Sequence, residues 1–139
     1  MCATDYDDPR NGQCNDLVEF LRNTEVWNQF QEMSAVRVLE LGCGTGPFGR
    51  RLLAEHASIK VVGVEILPER LNNLHRLLTE SGLSERYQAV LGDILDPALF
   101  APGSFNVILA PSVLHHIEHL RQSAQPGNIR IWLRPGGFL

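Results

Sequence analysis

The sequence predicts an α/β fold built on a parallel, doubly wound sheet. Apolar runs typical of buried strands alternate with segments whose apolar residues recur at helical spacing, and the connections between them are short. Three glycines at alternate positions, Gly42, Gly44 and Gly46, directly follow one of these apolar runs. Such glycines are typical of a strand that turns sharply into a helix. The alternation of strands and helices implies parallel strands joined by right-handed crossovers.

Residues 1–35 are predicted to form an arm and helices ahead of the main domain, which spans residues 36–139. The segment from Met1 to Cys14 is polar, and we expect a flexible arm there. From Asn15 to Met33, apolar residues recur at roughly helical spacing, which predicts one or two helices. In one interpretation these helices pack against the main domain, and in the other they also cover a ligand as a lid.

Local signals predict each element of the main domain in turn. Pro47 and Pro68 suit the first turn of a helix, where a missing N–H costs little, and Gly82 is a typical helix stop. The strands are predicted at Val36–Leu41, Val61–Glu65, Tyr87–Leu91 and Phe105–Ala110, with a last strand from Phe138. The helices are predicted at Pro47–Glu55, Pro68–Ser81 and Ser112–Gln122, with shorter helical pieces at Asp96–Phe100 and Ile129–Leu133.

The composition is that of an ordinary globular protein. A length of 139 residues, 44% of them hydrophobic and 20% charged, suits one domain with one core. The net charge of −4 gives no electrostatic case for binding nucleic acid or an anionic membrane, and no apolar run could span a bilayer. The polar N-terminus is unlike a secretory signal, and three cysteines without a Cys-x-x-Cys pair argue against disulfides and structural zinc. We therefore expect a cytoplasmic protein.

The glycine turn and the acids at the strand ends point to a nucleotide-like ligand. Bare backbone N–H groups beside a helix N-terminus attract a carboxylate or a phosphate. Glu40, Glu65 and Asp93 lie at or just beyond the ends of three successive predicted strands, and ligands of parallel sheets bind at that edge. The segment from Gly44 to Gly49 also fits the dinucleotide pattern G-x-G-x-x-G. Glu40 weighs against a dinucleotide, because a buried carboxylate needs a partner and a ligand ammonium group would supply one.

Five segments of the chain, in order and at family spacing, resemble the class I S-adenosylmethionine-dependent methyltransferases. The resemblance covers the chain from Val36 to Leu139. The segments are Val38–Gly46, Val61–Glu65, Leu91–Ile94, Phe105–His116 and Leu133–Leu139. It implies a Rossmann-like three-layer sandwich with a mostly parallel sheet of order 3-2-1-4-5, lacking the family's usual last strands.

The resemblance also implies S-adenosylmethionine as the cofactor. The glycine N–H groups would bind the ligand carboxylate, Glu40 its ammonium group, Glu65 both ribose hydroxyls and Asp93 the adenine amino group. Ile66 and Ile94 would offer apolar faces to the adenine. The implied cofactor-binding residues are Glu40, Gly42, Cys43, Gly44, Gly46, Glu65, Ile66, Asp93, Ile94 and Ala110.

His115 and His116 are the candidate catalytic residues, because histidine is the natural base near neutral pH. A base is needed only if the acceptor must lose a proton early, and the resemblance gives this region mainly a pocket-lining role. His115 and His119 would share a helix face, but no third ligand follows at a suitable spacing, so no metal site is expected. The Asn-Pro-Pro-Tyr type of sequence for amino-group methylation is absent, which favours a small-molecule acceptor.

Family domains usually continue beyond the position that Leu139 occupies, through a helix and two more strands. We therefore expect the sheet to be incomplete in this chain. The chain is then a fragment or a truncated product, or a second copy or a partner subunit supplies the missing part. Three hypotheses follow. The chain is a methyltransferase with a small-molecule acceptor, a non-catalytic methyltransferase-like module that acts with a partner, or an NAD-dependent oxidoreductase.

Overall fold

The computed structural model describes Asn28, Glu32, residues 35–109 and residues 130–138. Within these ranges the structure gives the bounds of five strands and two helices, and strands and helices alternate as predicted over residues 36–91. The strands are β1 (Val36–Leu41), β2 (Ile59–Glu65), β3 (Tyr87–Leu91), β4 (Phe105–Leu109) and β5 (Leu133–Phe138). The helices are α1 (Pro47–Glu55) and α2 (Pro68–Ser81). The predicted helix at Ser112–Gln122 and nearly all of the one predicted between Asn15 and Met33 lie outside the described residues.

The five strands form one sheet of order β3-β2-β1-β4-β5, and every described pairing is parallel. This order confirms the fold predicted from the sequence. In the register of the sheet, Glu40 of β1 lies opposite Gly63 of β2, and Glu65 of β2 lies opposite Leu91 of β3. Because the strands are parallel, the carboxyl ends of β1, β2 and β3 meet at one edge of the sheet.

A hydrophobic cluster covers each face of the sheet. On the first face, Leu52 and Leu53 of α1 and Leu74 and Leu78 of α2 pack on alternate residues of the strands, and all four side chains are buried. On the second face, strand residues that point away from the two helices pack together with Trp132. This cluster consists of Leu39, Leu41, Val62, Val64, Phe105, Ile108 and Trp132. Both faces are therefore apolar, as expected of an internal parallel sheet.

The helix boundaries follow the predicted signals. Pro47 and Pro68 occupy the first turns of α1 and α2. Gly82 ends α2 in the left-handed conformation, with φ of 71°, and its N–H donates to the carbonyls of Leu78 and Thr79. A residue with a Cβ would be strained there, which explains why glycine ends this helix.

Two strand starts and one short predicted helix differ from the prediction. β2 begins at Ile59 rather than Val61. β5 begins at Leu133 rather than Phe138, because the N–H of Phe105 bonds to the carbonyl of Trp132 and aligns the chain beside β4. A register shift along β4 accommodates the proline and glycines within β5. The segment predicted as a short helix at Asp96–Phe100 forms turns, in which the Asp96 side chain accepts the N–H of Ala98.

Candidate functional site

The glycine turn joins β1 to α1 at the carboxyl edge of the sheet. Gly42, Gly44 and Gly46 all have left-handed backbones, with φ of 57°, 54° and 66°. Two hydrogen bonds fix the turn: the N–H of Gly46 donates to the Cys43 carbonyl at 2.7 Å, and the N–H of Cys43 donates to the Val64 carbonyl at 3.0 Å. The alternate glycines predicted the turn because other residues rarely adopt this backbone conformation.

The turn has one open side and one packed side. A Cβ built on Gly44 meets no atom within 4 Å, whereas a Cβ on Gly46 would come within 2.7 Å of the Tyr87 hydroxyl. A ligand can therefore approach the backbone of the turn closely at Gly44.

Glu65, the last residue of β2, holds its carboxylate against this turn. The side chain is 4% exposed, and its Oε1 accepts the N–H of Gly44 at 3.1 Å. Its Oε2 accepts the N–H groups of Ile66 at 2.8 Å and Leu67 at 3.2 Å, while the exposed Arg70 guanidinium lies 4.0 Å from Oε1. The structure thus brings together two of the elements that the sequence assigned to one site.

Glu40 lies beneath the turn and is 1% exposed. Its Oε1 accepts the Tyr87 hydroxyl at 2.7 Å and the Gly49 N–H at 3.1 Å. Burial outweighs these donors and raises the pKa of Glu40 to about 7. The sequence argument that this carboxylate needs a partner from a ligand is therefore wrong, because the protein supplies its partners. A role towards a ligand ammonium group stays a prediction.

Cys43 contributes its backbone to the turn, whereas its side chain is buried in the cluster on the first face. Burial, with the negative charge of Glu40 as a smaller cause, raises the pKa of the Cys43 thiol to about 12. The thiol is therefore protonated at neutral pH and is not a nucleophile.

The predicted adenine-binding residues lie at the ends of β2 and β3. The N–H of Gly92 donates to the Glu65 carbonyl at 3.0 Å, which keeps the two strand ends together. Asp93 is exposed, and its Oδ1 accepts the N–H of Leu95 at 2.9 Å. Ile66 exposes 59% of its surface, and Ile94 is partly buried against the core. Asp93 thus stabilises a turn, and an apolar surface lies exposed nearby.

Comparison with known proteins identifies the family. A family model described as "Methyltransferase domain" matches residues 38–137, from within β1 to within β5. The chain belongs to the class I S-adenosylmethionine-dependent methyltransferases. The match covers the glycine turn and all the strand ends described above, so the family assignment does not depend on one glycine motif.

Two curated relatives of this methyltransferase domain illustrate the match. A malonyl-[acyl-carrier protein] O-methyltransferase from Paenibacillus sp. (strain JDR-2) is 25% identical over 138 residues, which are 99% of this chain and 49% of the relative. A ubiquinone biosynthesis O-methyltransferase from Paraburkholderia phymatum is 28% identical over 109 residues, which are 77% of this chain and 44% of the relative. The chain thus spans about half the length of these relatives.

Two solved structures share the fold. A protein from Pyrococcus horikoshii OT3 is 24% identical with a TM-score of 0.66, over 94% of this chain and 58% of that one. A glycopeptide N-methyltransferase complexed with sinefungin is 22% identical with a TM-score of 0.62, over 83% of this chain and 47% of that one. At these identities the likeness establishes the architecture of the methyltransferase domain.

Sequence reasoning missed one residue of the region around the turn. The sequence predicts only that Tyr87 lies in a strand. In the structure its hydroxyl makes the shortest described hydrogen bond to Glu40. The glycines at positions 49 and 63 were the available signal, because each lies against the Tyr87 ring.

The remaining predicted site residues of the methyltransferase domain, Ala110, His115 and His116, lie outside the described residues, so their roles stay predictions. In the described ranges, no group of three His, Cys, Asp or Glu side chains could hold a metal ion. The same ranges contain no helix that is both long and apolar enough to cross a membrane.

Proposed function

We propose that this chain binds S-adenosylmethionine and takes part in transferring its methyl group to a small-molecule acceptor. The observation that carries the proposal is the open backbone of Gly44, which lies within a hydrogen bond of the Glu65 carboxylate. This arrangement places backbone that a ligand can approach closely beside the two carboxylate oxygens of Glu65. It suits a ligand that has both a carboxylate and a ribose diol.

Glu65 is the proposed ribose-binding residue. An ionised carboxylate offers about four acceptor positions, and three are engaged by the N–H groups of Gly44, Ile66 and Leu67. We expect a ribose hydroxyl to take the place of the Gly44 N–H on Oε1. That exchange would free the Gly44 N–H to donate to the carboxylate of the same ligand. Loss of the bond between Gly44 and Glu65 would thus allow both the ribose contact and the carboxylate contact.

The adenine would lie between the ends of β2 and β3. The exposed side chain of Ile66 offers an apolar surface for one face of the ring, and Ile94 lies near the end of the neighbouring strand. Asp93 uses Oδ1 to hold its turn, which leaves Oδ2 to accept a hydrogen bond from the adenine amino group. The bond from the Leu95 N–H therefore orients the Asp93 carboxylate rather than competing with the proposed contact.

A bound S-adenosylmethionine supplies a sulfonium that is already an activated methyl donor. The protein then contributes mainly proximity and alignment of the two reactants. His115 and His116 are the candidates for removing a proton from the acceptor, or for lining its pocket, as the sequence predicts. The named relatives act on acceptors of different classes, and for this chain we keep the small-molecule acceptor that the sequence favours.

Calorimetry with S-adenosylmethionine, S-adenosylhomocysteine and NAD tests the proposal. We expect the two adenosyl ligands to bind and NAD to give no heat of binding. Binding of NAD with no response to either adenosyl ligand would refute the proposal and restore the dinucleotide interpretation of the segment from Gly44 to Gly49. Incubation with S-adenosylmethionine and candidate acceptors then separates a methyltransferase from a binding module, because only the former releases S-adenosylhomocysteine.

A further inference from the structure

Three glycines leave room for the buried side chain of Tyr87. A Cβ on Gly46 would come within 2.7 Å of the Tyr87 hydroxyl, and one on Gly49 within 2.6 Å of Glu40 Oε1 and 2.7 Å of the Tyr87 ring atom Cε2. A Cβ on Gly63 would overlap the hydroxyl as well. These glycines belong to the turn, to α1 and to β2, yet all three face the same ring. Tyr87 itself is 2% exposed, so its hydroxyl must find its partner inside the protein.

The partner is Glu40, which performs the task of a helix cap. The residue at the N-cap position of α1 is Gly46, which has no side chain to accept the first N–H groups of the helix. Glu40 of β1 accepts one of them, the Gly49 N–H, at 3.1 Å. A negative charge is favoured at this end of a helix. The Tyr87 hydroxyl, 2.7 Å from the same Oε1, holds the carboxylate in that position.

We propose that Tyr87 is a positioning residue for the glycine turn: by holding Glu40 against the start of α1, it sets the backbone to which the ligand binds. Tyr87 starts β3, Glu40 lies near the end of β1, and Gly46 and Gly49 lie on the turn and the helix. The bond from the Tyr87 hydroxyl to Glu40 and the bond from the Gly49 N–H to Glu40 together link β3, β1 and α1. The effect of the hydroxyl on ligand affinity rests on the function proposed above, whereas its effect on the turn does not.

The charged and titratable groups around Glu40 come from every element packed on it. Tyr87 approaches from β3, Cys43 from the turn and Arg50 from α1, and Glu65 at the end of β2 acts on Cys43. The hydrogen bond from Tyr87 lowers the pKa of Glu40, against the larger effect of burial. Removing only the hydroxyl must therefore raise the pH at which Glu40 titrates, which gives the contact a signature that a general loss of stability does not produce.

The test compares the wild type with Tyr87→Phe, which keeps the ring and removes the hydroxyl. We expect the NMR titration midpoint of the Glu40 carboxyl to rise and the Gly49 amide to exchange about three- to tenfold faster in the ligand-free protein. We also expect about three- to tenfold weaker binding of S-adenosylhomocysteine. Ile108→Ala is the matched control, because Ile108 is buried in the cluster on the opposite face of the sheet and should change stability without moving the Glu40 midpoint.

An unmoved midpoint and unchanged exchange at Gly49 in Tyr87→Phe would overturn the proposal, as would equal changes in Ile108→Ala. Failure of the wild type to bind S-adenosylhomocysteine would contradict only the proposed function, since the Glu40 titration midpoint and the exchange rates are measured without ligand. If Tyr87→Phe does not fold, Glu40→Gln examines the same contact from its other side. It should speed exchange at Gly49, and unchanged exchange there would again overturn the proposal.

Discussion

Gly44 and Gly46 share a left-handed backbone but differ in what surrounds the missing side chain. Gly44 faces open space, whereas Gly46 lies against the Tyr87 hydroxyl. A non-glycine residue in this conformation costs roughly 1–2 kcal/mol whatever its surroundings. The two positions therefore allow the cost of the backbone conformation to be separated from the cost of the contact.

We predict that Gly46→Ala lowers the free energy of unfolding by clearly more than Gly44→Ala. Both variants pay the conformational cost, roughly 1–2 kcal/mol, and only the former also drives a Cβ into Tyr87. Ligand affinity should not follow stability: we expect Gly44→Ala to weaken binding of S-adenosylhomocysteine although this variant is the more stable of the two. Urea unfolding and calorimetry measure the two effects, and equal stability losses would contradict the described packing.

At the scale of elements, α1 depends on a cap that lies on another strand. Its N-cap position is a glycine and its first residue, Pro47, has no N–H, so the earliest donors are those of Phe48 and Gly49. Glu40 of β1 accepts the Gly49 N–H across the turn. The strand, the turn and the helix are thereby stabilised as one unit, and their stability responds to the ionisation of one carboxyl group.

We predict that Glu40 makes stability fall as pH rises. Its pKa is raised from an ordinary value of 4.5 to about 7, so the unfolded chain loses this proton first. Between those two pH values the folded state binds more protons, and the free energy of unfolding decreases with pH, by roughly 3 kcal/mol over the whole interval.

Denaturation of the wild type and Glu40→Gln at about pH 5 and about pH 8 measures this contribution. The glutamine keeps the size of the side chain and cannot ionise. From about pH 5 to about pH 8, the free energy of unfolding should therefore fall more in the wild type than in the variant. The same pH dependence in both proteins would show that Glu40 does not titrate in this interval.

At the scale of the whole molecule, the apolar pattern of the sequence predicts a parallel sheet, and the resemblance to the methyltransferases adds its strand order. Alternating apolar runs gave the parallel topology, and Pro47, Pro68 and Gly82 marked helix ends that the structure confirms. Local rules were sufficient at these points, because each signal acts through the backbone of the residue that carries it.

Long-range contacts explain what the sequence could not predict. Nothing local to Tyr87 indicates that its hydroxyl reaches Glu40, since that contact spans 47 residues of chain and depends on glycines in three other segments. Likewise, β5 starts early because Trp132 is buried and its carbonyl pairs with β4, which overrides the breaking tendency of the proline that follows. The expected second copy or partner subunit beside this sheet stays a prediction.

The central claim is that the edge of the sheet beside the glycine turn holds an adenosyl ligand through Glu65. Binding of S-adenosylhomocysteine to Glu65→Ala tests it most directly, with Glu69→Ala on the exposed surface of α2 as the matched control. We predict that Glu65→Ala weakens binding by roughly 1–3 kcal/mol, through loss of charge-assisted hydrogen bonds, and that Glu69→Ala leaves it unchanged. Equal affinity in the wild type and a folded Glu65→Ala protein would contradict the account.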